Sequence, residues 1–304
     1  MAPEDKEPAC PRKKPRSPHA FTTSTLAKHG RMIVRSRRLH SVWLYLLCLA
    51  FTTSTATGEE LRGTVLVVGR GPERAAIEQL AQAFEKAHLG TAVDIEWNRH
   101  LRITEMVTSG QADIAVAGRE EAGLAAKTIA WDGLAVIVNF SNPIKELTKQ
   151  QVASLFSGKI QNWSELDENA GGNVQVVLRP DDQNLTDGFE QSLGIVGAMA
   201  KNAEHIRSDQ KVLSHVSGQL DAVSYLSVKA ALDAVTYGIS VRVILINGIE
   251  PGTPTVRSGQ YPLKRPVILI TGKAPSALTR ALVDFALSPA GQRILGSLYV
   301  PLGQ

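Results

Sequence analysis

Four arginines lie at or just after the ends of apolar, strand-like runs of this 304-residue chain, at Arg70, Arg99, Arg119 and Arg179. Parallel strands end at a common edge of a sheet, and open α/β proteins bind their ligands there. A guanidinium at such a position can donate two parallel hydrogen bonds to an oxyanion. These four positions are therefore places to examine for contacts to a small anion.

The first of these loops reads Gly69-Arg70-Gly71-Pro72-Glu73, between a predicted strand and a predicted helix. The free N–H groups and the dipole of a helix N-terminus favour an anion, so Arg70 and Gly71 are candidate ligand residues. The loop lacks the third glycine of a dinucleotide fingerprint and the Gly-Lys-Ser/Thr of a P-loop. Pro72 also removes one N–H donor. The alternative is a tight turn without a ligand.

The second and third loops are Asn98-Arg99-His100 and Gly118-Arg119-Glu120-Glu121. Each loop follows a predicted strand, and Arg99 is a candidate anion ligand because an arginine can hold an oxyanion with two hydrogen bonds. For Arg99 the alternative is a solvated loop. For Arg119 it is a surface ion pair with Glu120 or Glu121, which contributes little to stability.

The fourth loop begins at Arg179, at the end of the buried run VQVVLR, and continues to Phe189. Its polar residues include Asp181, Gln183, Asn184 and Thr186. Asn184 tolerates the left-handed backbone conformation that a ligand loop often needs. The alternative is a scaffold loop that has no ligand.

No catalytic or metal-binding set is apparent in the sequence. The histidines beyond residue 56 are scattered, and no Gly-x-Ser-x-Gly elbow occurs. Asp181 and Asp182 are adjacent carboxylates in a loop, a pattern more typical of solvated side chains than of a metal site. We therefore expect a protein that is not an enzyme and that holds no cofactor and no metal.

The basic charge of the chain is concentrated at its beginning. Residues 1–56 hold ten of the 33 Lys and Arg and three of the 29 Asp and Glu, so residues 57–304 carry a net charge of −3. The sequence pI of about 9.1 is therefore no argument for a nucleic-acid partner. Both cysteines, Cys10 and Cys48, also lie before residue 57, so no disulfide is expected beyond it.

Residues 32–56 have the pattern of a signal peptide. Three arginines precede an apolar run of about ten residues, Val42 to Phe51, and small residues at Ser54 and Ala56 predict cleavage near Ala56. The alternative is a buried helix of the folded domain. Residues 1–31 are proline-rich and basic, typical of a disordered extension, and Met32 is the expected start. The expected location is the periplasm.

Beyond residue 60 the sequence alternates strand and helix patterns. The run TVLVVG (Thr64–Gly69) predicts a buried strand, and the spacing of Ile77, Leu80, Ala81 and Phe84 predicts an amphipathic helix after it. Further strand-like runs recur, listed here in order: Ala92–Trp97, Ala112–Gly118, Gly133–Asn139, Val174–Arg179, Asp221–Leu226, Val241–Gly248 and Pro266–Gly272. This order is typical of an α/β fold with mostly parallel sheets and flanking helices.

The run SLFSGKIQNW, Ser154 to Trp163, is the most specific pattern in the chain. Thr148 and Gln151 predict a capping box before it, and Gly158 predicts a left-handed helix end. The order Leu-Phe-x-Gly-Lys-Ile-x-x-Trp resembles the phosphate-binding proteins of ABC importers, within the periplasmic binding protein superfamily. The fourth loop is similar to their Arg-x-Asp/Glu-x-Ser-Gly-Thr-x-x-x-Phe pattern, with Arg179, Asp181 and Phe189 in register. This similarity implies ligand roles for Asp181, Gln183, Asn184 and Thr186. The family's Ser-Arg pair at the third loop likewise implies a ligand role for Arg119.

This resemblance, over residues 62–302, implies a two-lobed α/β fold with a two-strand hinge near 136–140 and 225–228. It implies lobe one at 61–137 and 228–304 and lobe two at 138–227. The expected function is capture of a small oxyanion, with phosphate first, for an ABC permease in the inner membrane. A monomer is expected.

The resemblance also implies a diverged ligand site. Gln183-Asn184-Leu185 stands where the family has Ser-Gly-Thr, and Arg70 and Gly118 stand at positions where it has hydroxyls. Thr186, one place late, can supply one hydroxyl. The alternative function is a sensor or accessory protein on the same fold that takes part in no transport and recognises a different ligand or a protein partner.

Overall fold

The computed structural model describes residues 61–179 and 183–302. The predicted extension, the signal peptide and its cleavage point near Ala56 lie outside the described residues, as does Asp181. No helix in the described part is long and apolar enough to cross a membrane.

Twelve strands and nine α-helices are described, and their bounds follow in chain order. The strands are β1 (Gly63–Gly69), β2 (Thr91–Trp97), β3 (Ile114–Ala117), β4 (Ala125–Asn139), β5 (Glu146–Leu147), β6 (Gln175–Leu178), β7 (Glu204–His205), β8 (Ala222–Ser227), β9 (Val241–Val243), β10 (Leu245–Ile246), β11 (Lys264–Thr271) and β12 (Val300–Pro301). The helices are α1 (Arg74–Ala87), α2 (Ile103–Thr108), α3 (Lys149–Phe156), α4 (Gln183–Leu193), α5 (Asp209–Gly218), α6 (Val228–Thr236), α7 (Thr253–Arg257), α8 (Ala277–Leu287) and α9 (Pro289–Leu295).

The local signals predicted several of these elements closely. All four residues of the apolar stripe of α1 are buried. Thr148 and Gln151 form the predicted capping box at the start of α3, and Gly158 has φ +73° just after its end. Trp163 is fully buried, and its indole N–H donates to the carbonyl of Asp221 at 3.0 Å. The strand predicted over Val241–Gly248 is instead two short strands, β9 and β10.

The two halves of the long strand β4 pair with two different sets of strands, and we call each set an arrangement. Its first half, up to Gly133, pairs with β11, and beyond β11 lie β3, β1 and β2, the last three mutually parallel. From Leu134 onward, β4 pairs with β8, which continues in parallel to β6 and then β7. The chain crosses between the two arrangements at Gly133–Leu134 and again at Leu263–Lys264, where Leu134 N donates to Leu263 O at 2.8 Å.

The hydrophobic cores follow the same division. The apolar side chains of β1 alternate between two clusters, with Val67 in the one that packs on α1 and α8 and Val68 in the one that packs on α2. A separate, larger cluster contains the buried residues of β4 beyond Gly133, of β6 and β8, and of α3 to α7.

The structure differs from the predicted lobe boundary. Residues 228–263 pack in the same cluster as residues 134–226, and β8 pairs with β4 along its length without leaving that arrangement. We therefore propose residues 134–263 as lobe two and the remaining described residues as lobe one. The hinge then lies near 133–134 and 263–264, since these are the two crossings of the chain.

Candidate functional site

The loop after β1 is held against the end of β2. Trp97 donates its indole N–H to the carbonyl of Gly71 at 2.8 Å, and its ring lies so close to Gly69 that a Cβ there would meet it at 2.3 Å. Within this loop Arg70 is partly buried, and no described residue accepts a hydrogen bond from its buried Nε. The first predicted candidate therefore has a buried N–H donor that no described residue satisfies.

The next residue of interest, Glu73, is fully buried although it begins a helix. Its carboxylate does not cap α1. Oε1 instead pairs with Arg265 Nη1 at 2.5 Å, and Oε2 accepts a hydrogen bond from Asn184 Nδ2 at 3.1 Å. Two of the three residues in this contact, Glu73 and Arg265, were not among the candidates predicted from the sequence.

Arg265 holds a second carboxylate at the same time. Its Nε and Nη2 donate to Asp132 Oδ2 at 3.1 and 2.8 Å, and both side chains are buried. Burial raises the pKa of Asp132 above its usual range, although the neighbouring guanidinium acts in the opposite direction. Burial by itself would lower the pKa of Arg265, but the carboxylates of Glu73 and Asp132 raise it above its ordinary value. Glu73, Asp132 and Arg265 together form a buried cluster that we call the carboxylate–arginine triad.

Asn184 connects this triad to lobe two. Besides Glu73, its Nδ2 donates to the carbonyl of Val116 at 3.2 Å. Its backbone packs so tightly on Gly118 that a Cβ there would lie 2.6 Å from Asn184 O. Gly71 also packs closely on Asn184, since a Cβ at position 71 would lie 2.7 Å from Asn184 Nδ2. The structure thus brings together the predicted candidates Gly71 and Asn184.

Arg179 lies at the carboxyl end of β6 and is only 3% exposed. Its guanidinium forms an ion pair with Asp209, in the first turn of α5, which is 49% exposed. The hydroxyl of Thr186 donates to the Arg179 carbonyl at 2.9 Å and lies 2.9 Å from the hydroxyl of Tyr225. Burial raises the pKa of Tyr225 to about 12, so it is protonated at neutral pH.

Two candidates lie at the surface. Arg99 is exposed and donates to His100 Nε2 at 2.9 Å. Arg119 is half exposed and forms an ion pair with Glu121 at 3.2 Å, which is the alternative considered for it. Arg119 also lines a groove of about 400 Å³ together with Lys264, whose ammonium lies 4.4 Å from the ring centre of Trp131. The side chain of Gln183 lies outside the described part, so it cannot be placed.

Comparisons with known proteins agree with this architecture. Residues 54–290 match the model of the PBP superfamily domain. The chain therefore belongs to the periplasmic binding protein superfamily, whose members bind solutes.

Named relatives make the likeness more specific. The chain is 32% identical over 110 residues to Phosphate-binding protein PstS 2 of Streptococcus agalactiae, covering 34% of this chain and 38% of the relative. This alignment spans little more than a third of the relative's length. Phosphate-binding protein PstS of Bacillus subtilis is 24% identical over 269 residues, covering 82% of this chain and 85% of the relative.

Solved structures share the fold. An ABC-type phosphate transport receptor from Vibrio cholerae superposes with a TM-score of 0.69 at 22% identity, covering 79% of this chain and all of that one. A candidate substrate-binding protein of a phosphate ABC transporter from Clostridium perfringens, solved with bound phosphate, has a TM-score of 0.66 at 25% identity. That match covers 80% of this chain and all of that one.

Proposed function

We propose that this chain is a periplasmic solute-binding protein that captures a small oxyanion, with phosphate as the first candidate, between its two lobes for ABC-type import. The observation that carries the proposal is the buried Arg179 at the end of β6, directly before the segment that leads into α4. A guanidinium presents its N–H donors in a planar fork that matches an oxyanion bidentately. Relatives named as phosphate-binding proteins support phosphate as the ligand.

Several residues would contribute to this site. Arg70 supplies a donor from the loop of lobe one, and Gly71 permits a close approach of its backbone. Asn184 supplies the amide from lobe two. Arg99 and Arg119 are at the surface, and we propose that they attract the anion by long-range electrostatics rather than hold it.

Isothermal titration calorimetry of the full chain with phosphate, sulfate and arsenate tests the proposal. We expect a phosphate dissociation constant well below about 1 mM, the level that corresponds to roughly −4.1 kcal/mol. A titration that remains flat up to millimolar phosphate contradicts the oxyanion receptor and favours the second candidate.

The second candidate is a sensor or accessory protein that binds another ligand or a protein. It is favoured by one specific observation, the Glu73 carboxylate that already occupies the amide of Asn184. The same titration tests this candidate, because a protein that recognises another ligand or a protein partner should give a flat titration with phosphate.

Export and partner choice belong to the same proposal. The pattern of Arg35–Ala56 predicts a mature form that begins near Thr57, delivered to the periplasm and to an ABC permease. Intact-mass analysis of the exported protein decides the first point. Retention of Met1 or Met32 on the exported form contradicts the signal peptide.

A further inference from the structure

Helix α4 has two faces that pack against different parts of the molecule. Leu185 and Phe189 are buried in the core of lobe two, where the Phe189 ring stacks on Tyr225 with centroids 4.0 Å apart. Asn184 and Gly188, also four residues apart, face lobe one. A Cβ on Gly188 would lie 2.5 Å from the Cβ of Arg265. The helix is therefore a bridge between the lobes.

The end of this bridge is seated in a fitted recess of lobe one. We call it the Asn184 socket, and its members are Gly71, Glu73, Val116 and Gly118. Asn184 is 1% exposed, and its amide donates to one charged and one neutral acceptor of the socket. Both glycines are needed there, because a Cβ at either would overlap Asn184.

The charged acceptor of the socket has the chemistry of a ligand. A carboxylate and a small oxyanion both offer negatively charged oxygens to N–H donors. Glu73 leaves the N-terminus of its own helix uncapped, reaches Asn184 across 111 residues of sequence, and remains wholly excluded from solvent. Its second oxygen is held by Arg265, so its position is fixed.

We infer that Glu73 is an internal anion: its carboxylate occupies the amide of Asn184 and holds α4 against lobe one, so that the cleft closes without a bound oxyanion. The triad carries two carboxylates and one guanidinium, and Asn184 supplies an additional donor to it. An incoming anion must then compete with Glu73 for that donor.

The closure is tested first in the absence of phosphate, by small-angle scattering of the full chain and its Asn184→Asp variant. This isosteric change places a second carboxylate where the amide stood 3.1 Å from Glu73 Oε2. We expect a larger radius of gyration than in the wild type. The matched control is Asn173→Asp, which makes the same charge change at an exposed residue whose Oδ1 already accepts a hydrogen bond. Equal radii for wild type, control and Asn184→Asp overturn the inference.

A second variant keeps the test decisive if Asn184→Asp does not fold. Asn184→Ala removes both hydrogen bonds and leaves the triad intact. We expect faster amide hydrogen exchange at Gly71, Glu73 and residues 116–118, with exchange at the buried Trp163 unchanged. Unchanged exchange in the socket overturns the inference.

The competition is tested by phosphate titration of Glu73→Gln, and this arm rests on the proposed function. The change removes one negative charge and leaves Arg265 paired with Asp132. We expect phosphate to bind about tenfold more tightly than in the wild type. Equal phosphate affinity in the wild type and Glu73→Gln overturns the inference that Glu73 competes with phosphate. If neither protein binds phosphate while Asn184→Asp still expands, the proposed function fails and the ligand-independent closure stands.

Discussion

Two buried arginines of this molecule stand in contrasting surroundings. Arg265 is fully enclosed and makes three hydrogen bonds to two buried carboxylates, Glu73 and Asp132. Arg179 is almost as buried, but the carboxylate of its ion pair, Asp209, is half exposed on the first turn of a helix. The same residue type therefore serves as the centre of a closed ionic cluster in one region and as the inner end of an open ion pair in the other.

This contrast predicts that the two buried arginines have different roles, one in stability and one in ligand binding. Removing a cation that is enclosed with its anions leaves buried charges that water cannot reach. Removing a cation whose partner is half exposed leaves an anion that water can solvate. Stability should therefore depend on Arg265, and ligand affinity should depend on Arg179.

The largest predicted effect is a loss of stability when Arg265 is replaced. Arg265→Met should lower the free energy of unfolding by about 3–5 kcal/mol, because Glu73 and Asp132 lose their counter-ion inside the protein. Urea-induced unfolding measures the loss. Arg257→Met is the control at an exposed arginine and should change it by less than about 0.5 kcal/mol. Equal effects at the two positions contradict the prediction.

The second prediction concerns Arg179 and separates binding from folding. Arg179→Lys should weaken phosphate binding about tenfold or more, because an ammonium cannot reproduce a bidentate contact and a charge-assisted hydrogen bond contributes about 1.5–3 kcal/mol. Arg179→Ala should weaken it further and leave the fold intact. Calorimetry gives the affinities, and circular dichroism monitors the fold. Affinities equal to that of the wild type exclude Arg179 from the site.

A third prediction concerns Gly188, which packs against the side chain of Arg265. Alanine favours a helix interior over glycine by roughly 0.8–1.0 kcal/mol. Gly188→Ala should nevertheless destabilise the protein by about 1–2 kcal/mol, since the added methyl group meets the stem of Arg265 at 2.5 Å. The matched control is Gly218→Ala, at a helical glycine where an added Cβ would meet no atom within 4 Å. This change should be neutral or stabilising. Thermal unfolding of both variants checks the opposite signs.

The smallest predicted effect is at the exposed end of the Arg179 pair. Asp209→Ala should lower the free energy of unfolding by about 0.2–1 kcal/mol, because water that already reaches the half-exposed Asp209 can replace its carboxylate beside the Arg179 guanidinium. Phosphate affinity should change by less than about fivefold, since Arg179 itself remains. A loss as large as that of Arg179→Ala would mean that Asp209, rather than the guanidinium, determines affinity.

The elements of this fold were largely predictable because their signals are local. The stripe of α1, the capping box of α3 and the left-handed Gly158 depend on residues no more than a few positions apart. The alternation of helix and strand in residues 228–263 suits either lobe, and the sequence prediction put them in lobe one. Their buried side chains pack with residues 134–226, far away in sequence, and for this reason we propose that they belong to lobe two.

The candidate site divides in the same way. The sequence alone determined where loops follow strands, since strand, turn and helix signals lie within a few residues of each other, and it proposed Gly71, Arg179 and Asn184 as candidates. It contained no sign that Glu73 would meet Arg265, 192 residues later, or Asn184. A buried ion pair has no periodicity and no fixed spacing, so the tertiary structure alone decided which arginine is enclosed and which carboxylates surround it.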